Sequence, residues 1–178
     1  MPMKSTQQRY GGIAIGLHWA SAILILGMLP LGFLMQNAGA GDRLLWYRVH
    51  GMVGFAVLLL TMARLAWKLF DVKPAPTPGL TGVHLRGMEL VHVFLYLVLL
   101  VLVGSGIALN IQSGLLDVLR GAANDFPHLT DFGSRRAHGV LARIYIALLV
   151  AHIGGVAVHQ FRHGHAFARM GIGKSDVA

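Results

Sequence analysis

Two histidines in the last apolar stretch of the chain are spaced like metal ligands on one helix face. His138 and His152 lie fourteen residues apart. Fourteen residues of α-helix turn through about 1400°, about 40° short of four full turns, so both imidazoles point to nearly the same side. At about 1.5 Å per residue they are roughly 21 Å apart, which is most of the thickness of a bilayer's hydrocarbon core. One helix therefore presents an imidazole near each membrane surface.

Four apolar segments are long enough to position such residues across a membrane. They cover residues 13–35, 49–69, 88–111 and 138–161, and a membrane helix needs about 20 residues. Each must be helical, because lipid offers no water to satisfy backbone groups. The proline-rich stretch 73–79 reads as a linker, and 112–136 as a polar connection with a short surface helix. We predict an all-α integral membrane four-helix bundle, up-down-up-down, forming one domain over residues 1–178.

The composition agrees with a membrane protein. Of the 178 residues, 55% are hydrophobic and 12% are charged, whereas soluble domains have about 25% charged residues. The absence of cysteine excludes disulfides, iron–sulfur clusters and c-type haem attachment. The net charge of +8 can come from loops that fix orientation, and no segment resembles a nucleic-acid-binding motif. The first apolar run is too long for a signal peptide and is expected to be retained.

Basic residues predict the orientation of the bundle. Nine lie on the side that holds both termini and the second loop, and five lie on the opposite side. The nine are Lys4, Arg9, Arg64, Lys68, Lys73, Arg86, Arg162, Arg169 and Lys174, and the five are Arg43, Arg48, Arg120, Arg135 and Arg136. By the positive-inside rule both termini are cytoplasmic. Arg64 and Lys68, near the end of the second span, are expected to snorkel to the interface.

With this topology four histidines form two layers. His50 and His138 lie near the outer surface, and His18 and His152 lie near the inner one. Each layer takes its two imidazoles from different helices, as axial ligation of a planar porphyrin requires. The alternatives are hydrogen bonds between helices, a zinc site, which normally needs three protein ligands, and a proton relay in a transporter that binds no haem. Two matched layers favour two b-type haems.

Small residues near these histidines have two explanations. They leave room for a porphyrin edge, or they allow helices to pack closely. The residues are Gly16, Gly51, Gly54, Gly139, Gly154 and Gly155.

Several stretches resemble the bacterial cytochrome b561 family of four-helix di-haem membrane proteins, over essentially the whole chain. The matching residues are Arg9-Tyr10, Leu17-His18-Trp19, His50-Gly51-Met52-Val53-Gly54, Arg64-Leu65-Ala66-Trp67-Lys68, His92 with Tyr96, and His138-Gly139 with His152 and His159. The resemblance implies two b-type haems bound by His18, His50, His138 and His152. It also implies electron transfer across the bacterial inner membrane with ubiquinone as a partner.

The resemblance suggests two functions. One is a superoxide oxidase, which passes an electron from periplasmic superoxide, or from another periplasmic donor, to quinone. The alternative is a haem-carrying electron-transfer or anchor subunit for a partner dehydrogenase or hydrogenase. The chain is short for such a subunit, which favours the first function.

The remaining candidates are histidines and arginines near the two layers. His92 and His159 lie on the cytoplasmic side, where they could bind a quinone carbonyl and supply a proton, or be ordinary interfacial residues. Arg143 could neutralise a haem propionate or snorkel outward. A local basic patch for an anion would come from the outer arginines. They are Arg43, Arg48, Arg135 and Arg136.

Overall fold

The computed structural model describes residues 2–76, 82–164 and 166–173. These residues form six α-helices and one short 3₁₀ turn, and they contain no β-strand, so the predicted all-α class is confirmed. The helices are α1 (Gly12–Leu34), α2 (Ala40–Phe70), α3 (Gly82–Gln112), α4 (Leu115–Arg120), α5 (Gly133–His163) and α6 (Ala166–Arg169), and the 3₁₀ turn is Leu129–Asp131.

Four of these helices, α1, α2, α3 and α5, are long and apolar enough to cross a membrane. In each, at most 11% of the most apolar 18-residue stretch is buried inside the protein. The remaining apolar surface faces outward, where lipid stabilises it and water would not. This surface is typical of a multi-pass membrane protein.

Three of the long helices start earlier than the apolar segments predicted. The apolar segments predicted to start at residues 49, 88 and 138 correspond to helices that begin at Ala40, Gly82 and Gly133. The segment 37–42, which lies between the first two apolar segments, therefore contains the start of α2. Hydropathy marks the apolar middle of a helix and not its polar ends. Asp42, in the first turn of α2, also interacts favourably with the positive end of the helix dipole.

Two sequence features lie partly outside the described residues. The linker over 73–79 is described as far as residue 76, and it is not helical there. The rest of this linker and Lys174, which was counted for orientation, lie outside the described residues.

The long helices pack as two halves. α1 packs mainly on α2, and α3 mainly on α5, whereas backbone contacts between the halves are fewer. At mid-height one apolar cluster joins them, with Ile25, Val57, Leu99 and Tyr145 contributed by the four helices in turn.

A second apolar cluster closes one end of the bundle, here called the α4-side end. It contains Leu109, Leu115, Val118 and Leu129. Helix α4 is bounded by Gly114 and Gly121, with φ of 69° and 80°. These left-handed conformations favour glycine and fold the connection back over the bundle. The short surface helix predicted between 112 and 136 is thus present.

The opposite end, here called the termini-side end, is held by hydrogen bonds between distant segments. Ser5 donates from its backbone nitrogen and its hydroxyl to the Asp71 carboxylate, at 2.8 and 2.6 Å. Arg169 donates to the carbonyl of Ala75 at 2.7 Å. A Cβ on Gly11 would lie 2.3 Å from the carbonyl carbon of Lys4, so the N-terminal segment can fold back only over a glycine.

Candidate functional site

At the α4-side end, His50 of α2 faces His138 of α5. Their ring centroids are 6.1 Å apart and the ring planes are inclined by 71°. His138 Nδ1 lies 3.1 Å from the carbonyl of Leu102 and 3.0 Å from the hydroxyl of Ser105, which itself donates to Leu102. Because a carbonyl oxygen can only accept, and the Ser105 hydroxyl hydrogen is already directed at it, the Nδ1 in contact with both carries the ring hydrogen. The Nε2 of neutral His138 is therefore left with its lone pair, as a metal ligand requires.

Two glycines make room for these rings. A Cβ on Gly106 would lie 3.2 Å from Cε1 of His138, and one on Gly32 would lie 3.8 Å from Cε1 of His50. The contact at Gly106 is tighter than a real side chain tolerates without movement of the ring. Gly106 thus fixes how closely α3 approaches His138.

At the termini-side end, His18 of α1 faces His152 of α5. Their ring centroids are 6.4 Å apart and the ring planes are inclined by 63°. A third histidine, His92 of α3, contacts His152 with centroids 5.0 Å apart. His92 Nδ1 is 2.7 Å from the carbonyl of Met88, to which it donates. Its Nε2 therefore also keeps a lone pair.

The spacing of the rings identifies which histidines can share one iron. A bond between a metal and an imidazole nitrogen is about 2 Å long, and that nitrogen lies about 1 Å from its own ring centroid. Imidazoles on opposite faces of one metal therefore have centroids about 6 Å apart. The pairs His50–His138 and His18–His152 have this spacing. The rings of His92 and His152 are too close to each other to do so.

The surroundings of the pairs fit a large planar cofactor better than a bare metal ion. Among the described residues no group of three or more His, Cys, Asp or Glu side chains could hold a metal, whereas zinc normally takes at least three protein ligands. Several of the glycines expected near the cofactor leave open space, since a Cβ would meet nothing within 4 Å. They are Gly16, Gly51, Gly154 and Gly155. Close helix packing thus does not require glycine at these four positions.

The four arginines expected at the outer surface have different environments. Arg43 stacks on Phe126, with its guanidinium carbon 3.8 Å from the ring centroid, and Arg48 donates to the carbonyl of Leu119 at 2.8 Å. Arg135 donates to the side-chain oxygen of Gln36 at 3.0 Å. Its positive charge lies close enough to interact electrostatically with both His50 and His138. Arg136 is exposed. The structure thus brings one of the four, Arg135, close to the histidine pair.

The other candidates are also placed. His159 is 7% exposed and stacks against His163, with ring centroids 5.0 Å apart. His92 is half-buried beside His152. Arg143 is exposed on α5, and its two predicted roles, beside a haem propionate or directed outward, stay predictions.

The structure places one residue of the site differently from the sequence-based prediction. Arg64 was expected to snorkel to the interface, but its Nη2 lies 3.1 Å from Nδ1 of His18. The signal that could have found it is its spacing, because Arg64 follows His50 by fourteen residues, as His152 follows His138. Ser105 and Leu102, which position His138, gave no comparable signal.

Comparisons with known proteins found one family and one relative similar to this chain over nearly its whole length. The chain matches the family described as prokaryotic cytochrome b561 over residues 9–173. It is similar to cytochrome b561 homolog 2 of Escherichia coli (strain K12), with 27% identity over 185 residues. That alignment covers 99% of this chain and 97% of the relative.

Proposed function

The chain belongs to the prokaryotic cytochrome b561 family, and from this premise we propose that it holds two b-type haems and passes electrons from periplasmic superoxide to ubiquinone. The family itself supplies the membrane electron-transfer role and the b-type haem. The proposed location is the bacterial inner membrane, with both termini in the cytoplasm. The termini-side end then faces the cytoplasm and the α4-side end faces the periplasm.

The observation that carries the proposal is the spacing of the two histidine pairs. His50 and His138 would hold the periplasmic haem, and His18 and His152 the cytoplasmic one. Each pair joins the α1–α2 half to the α3–α5 half, at centroid distances of 6.1 and 6.4 Å. A bound haem supplies a one-electron carrier whose iron alternates between ferric and ferrous states. The protein orients the ligand rings, as the carbonyl of Leu102 does for His138.

Positive charge at the α4-side end supports an anionic donor. The positive charge of Arg135 lies close enough to interact with both histidines of that pair, and Arg43 lies against Phe126 at the same end of the bundle. Local positive charge raises the concentration of an anion and its rate of arrival. Each superoxide that gives up one electron leaves as molecular oxygen, so two are consumed for each quinone fully reduced.

Histidines at the termini-side end support quinone reduction there. A quinone takes two electrons and two protons to become a quinol. His92 keeps a lone pair on Nε2, directed away from its bond to Met88, and His159 lies seven residues beyond His152 on α5. Imidazoles can donate hydrogen bonds and exchange protons near neutral pH. The arginines of the α4-side end cannot release protons.

The first test is the haem content of ligand variants. His50→Ala should remove the periplasmic haem and spare the other, and His152→Ala should do the reverse. His128→Ala is the matched control, because His128 is exposed and lies outside both pairs. Reduced-minus-oxidised spectra of the purified proteins count the haems. A native protein with a single haem, or an His50→Ala variant that loses only the cytoplasmic one, would contradict the pairing.

The second test is electron flow. Stopped-flow mixing of the oxidised protein with superoxide should reduce the haems, and added ubiquinone should reoxidise them. Haems that superoxide reduces and quinone does not reoxidise would favour the alternative function, a haem-carrying subunit for a partner dehydrogenase or hydrogenase. A protein that binds no haem would favour a transporter with a histidine relay.

The third test concerns the quinone site. His159→Leu and His92→Leu should keep both haems and slow reoxidation by quinone several-fold to about tenfold, because a lost hydrogen bond costs about 0.5–1.5 kcal/mol. The control is His128→Leu at the opposite end. Unchanged quinone kinetics in the double variant of His92 and His159, with both haems bound, would remove this site from consideration.

A further inference from the structure

The two imidazoles of the α4-side pair differ in what their Nδ1 atoms contact. His138 Nδ1 lies 3.1 Å from the carbonyl of Leu102 and 3.0 Å from the hydroxyl of Ser105. His50 Nδ1 is buried, and it has no hydrogen-bond partner among the residues that the structure describes. One ring of the pair is therefore held by a second contact, and the other ring is not.

The Nε2 atom of His50 is the nitrogen available to a metal. Within the described part of the chain this Nε2 makes no hydrogen bond, and it is not enclosed by protein as Nδ1 is. A neutral imidazole has one ring hydrogen, so a lone pair on Nε2 places that hydrogen on Nδ1. In His50 the resulting N–H is buried without an acceptor, and it carries the desolvation penalty of a hydrogen bond that is not made.

This difference makes His50 the weaker of the two ligands. The outer partner of a metal-bound imidazole fixes the orientation of the ring and raises its basicity, and loss of such a partner typically costs about 10–100-fold in metal affinity. His138 has that partner in the carbonyl of Leu102. The positive charge of Arg135 lies near both rings, so this charge does not by itself distinguish them.

The glycines beside the two rings also differ in the room they leave. A Cβ on Gly32 of α1 would lie 3.8 Å from Cε1 of His50, which is an ordinary van der Waals contact. A Cβ on Gly106 of α3 would lie 3.2 Å from Cε1 of His138, so that ring would have to move. The His50 ring is therefore less closely confined by its glycine than the His138 ring.

We propose that His50 is the exchangeable ligand of the α4-side haem, and that it gives up its position to a small uncharged molecule such as carbon monoxide while His138 stays bound. In this exchange the bond from iron to His50 Nε2 breaks, and a bond from iron to the carbon of carbon monoxide forms. The iron stays ferrous, and no electron or proton is transferred. The inference rests on the proposed function, since it requires a haem at His50 and His138. It goes beyond electron transfer because it gives the protein a position that binds a small ligand.

The test is a titration of the purified, reduced, haem-loaded protein with carbon monoxide, followed by its absorption spectrum. Carbon monoxide should change the spectrum of one of the two haems. The same change should persist in His152→Ala, the variant expected to keep only the α4-side haem. Two haems that show no spectral change at saturating carbon monoxide, or a change that is lost in His152→Ala, would overturn the inference.

Gly32→Ser and Gly32→Ala identify the ring that is released. The serine variant places a hydroxyl beside His50 that can accept the Nδ1 hydrogen, whereas the alanine variant adds the same Cβ without an acceptor. The affinity for carbon monoxide should therefore be about 10–100-fold lower in Gly32→Ser than in Gly32→Ala. If the serine variant binds too little haem to titrate, the isosteric variants Gly32→Thr and Gly32→Val give the same comparison.

The outcomes separate this inference from the proposed function. Equal affinities for carbon monoxide in the variants with and without the hydroxyl would show that His50 is not the ligand that leaves. With two haems in the native protein, that result would leave the proposed function standing. A native protein without two haems would instead contradict the proposed function.

Discussion

A single carbonyl determines which nitrogen of His138 is available. The carbonyl of Leu102 accepts the Nδ1 hydrogen at 3.1 Å, and it also accepts the hydroxyl hydrogen of Ser105 at 2.6 Å. The ring is held from α3, and its centroid lies 6.1 Å from that of His50 on α2. The same side of α3 carries Gly106, which lets the backbone approach the ring. The position of the His138 ring at the α4-side end therefore depends on residues outside the histidine pair.

Gly106→Ala tests that dependence. The new Cβ would lie 3.2 Å from Cε1 and 3.3 Å from Nδ1 of His138, so the ring must shift and its bond to Leu102 must lengthen. Loss of such outer contacts typically costs about 10–100-fold in metal affinity. We expect weaker retention of the α4-side haem during competition with apomyoglobin, and no change in the other haem.

Gly104→Ala is the control, because a Cβ at Gly104 would meet nothing within 4 Å. Equal haem retention in the two alanine variants would show that contact with Gly106 does not position His138.

The sequence predicted the histidine pairs and missed part of their surroundings, for a physical reason. The pairing of His138 with His50, and of His152 with His18, depends on helical periodicity and topology, both of which can be read from spacing. Arg64 was interpreted by its type, as a long cationic side chain near a span end. Whether its side chain snorkels or turns inward depends on packing against α1, and the periodicity of the sequence does not reveal that packing.

At the scale of elements, helix ends proved harder to predict than helix middles. The apolar centre of α2 was clear, but its start at Ala40 was not, because the first turns carry Asp42 and Arg43. Such residues are common both in loops and in the solvated ends of membrane helices. The contact between the N-terminal segment and the end of α2 was also not predicted, since Ser5 and Asp71 lie 66 residues apart.

The Ser5–Asp71 contact predicts a pH dependence. Burial alone would raise the pKa of Asp71, but hydrogen bonds from the hydroxyl and backbone of Ser5 lower that pKa below the usual 3.8. A carboxyl whose pKa is lower in the folded than in the unfolded protein stabilises the fold at pH values above the unfolded-state pKa. This stabilisation is lost as the pH falls through the folded-state pKa. Ser5→Ala should therefore destabilise the protein at about pH 7, and the part that comes from Asp71, whose carboxyl is largely accessible, should be no more than about 1 kcal/mol. Loss of the bond from the Gly11 N–H to the same hydroxyl adds a part that does not depend on pH.

The measurement is thermal unfolding of the native protein and of Ser5→Ala in the same detergent. The difference between their Tm values should be present from neutral pH down to about pH 4 and should shrink below it. Thr6→Ala is the control, because it removes a hydroxyl that accepts only from the nearby backbone nitrogens of Gln8 and Arg9. A difference that grows as the pH falls would contradict the assignment to ionised Asp71.

At the scale of the whole molecule, orientation decides which haem meets which substrate. Nine basic residues lie on the side of the termini and five on the other, which predicts cytoplasmic termini. A reporter that is active only in the periplasm should therefore be silent when fused after residue 178. The same reporter inserted between Ala122 and Ala123, both exposed beyond α4, should be active. The reverse pattern would exchange the periplasmic and cytoplasmic haems.

The central cluster of Ile25, Val57, Leu99 and Tyr145 also has an electrical consequence. Ser21 and Thr61, fully buried near this layer, already donate their hydroxyls to carbonyls of their own helices, both at 2.7 Å. A packed layer of this kind excludes water, and in the proposed function an electron crosses it from one histidine pair to the other. In the proposed orientation that electron moves inward across roughly 21 Å of low-dielectric material, against a potential that is negative inside. The opposing work is about 2.3 kcal/mol per 100 mV for a full crossing. Each turnover would therefore charge the membrane slightly, and a strongly energised membrane would slow the enzyme.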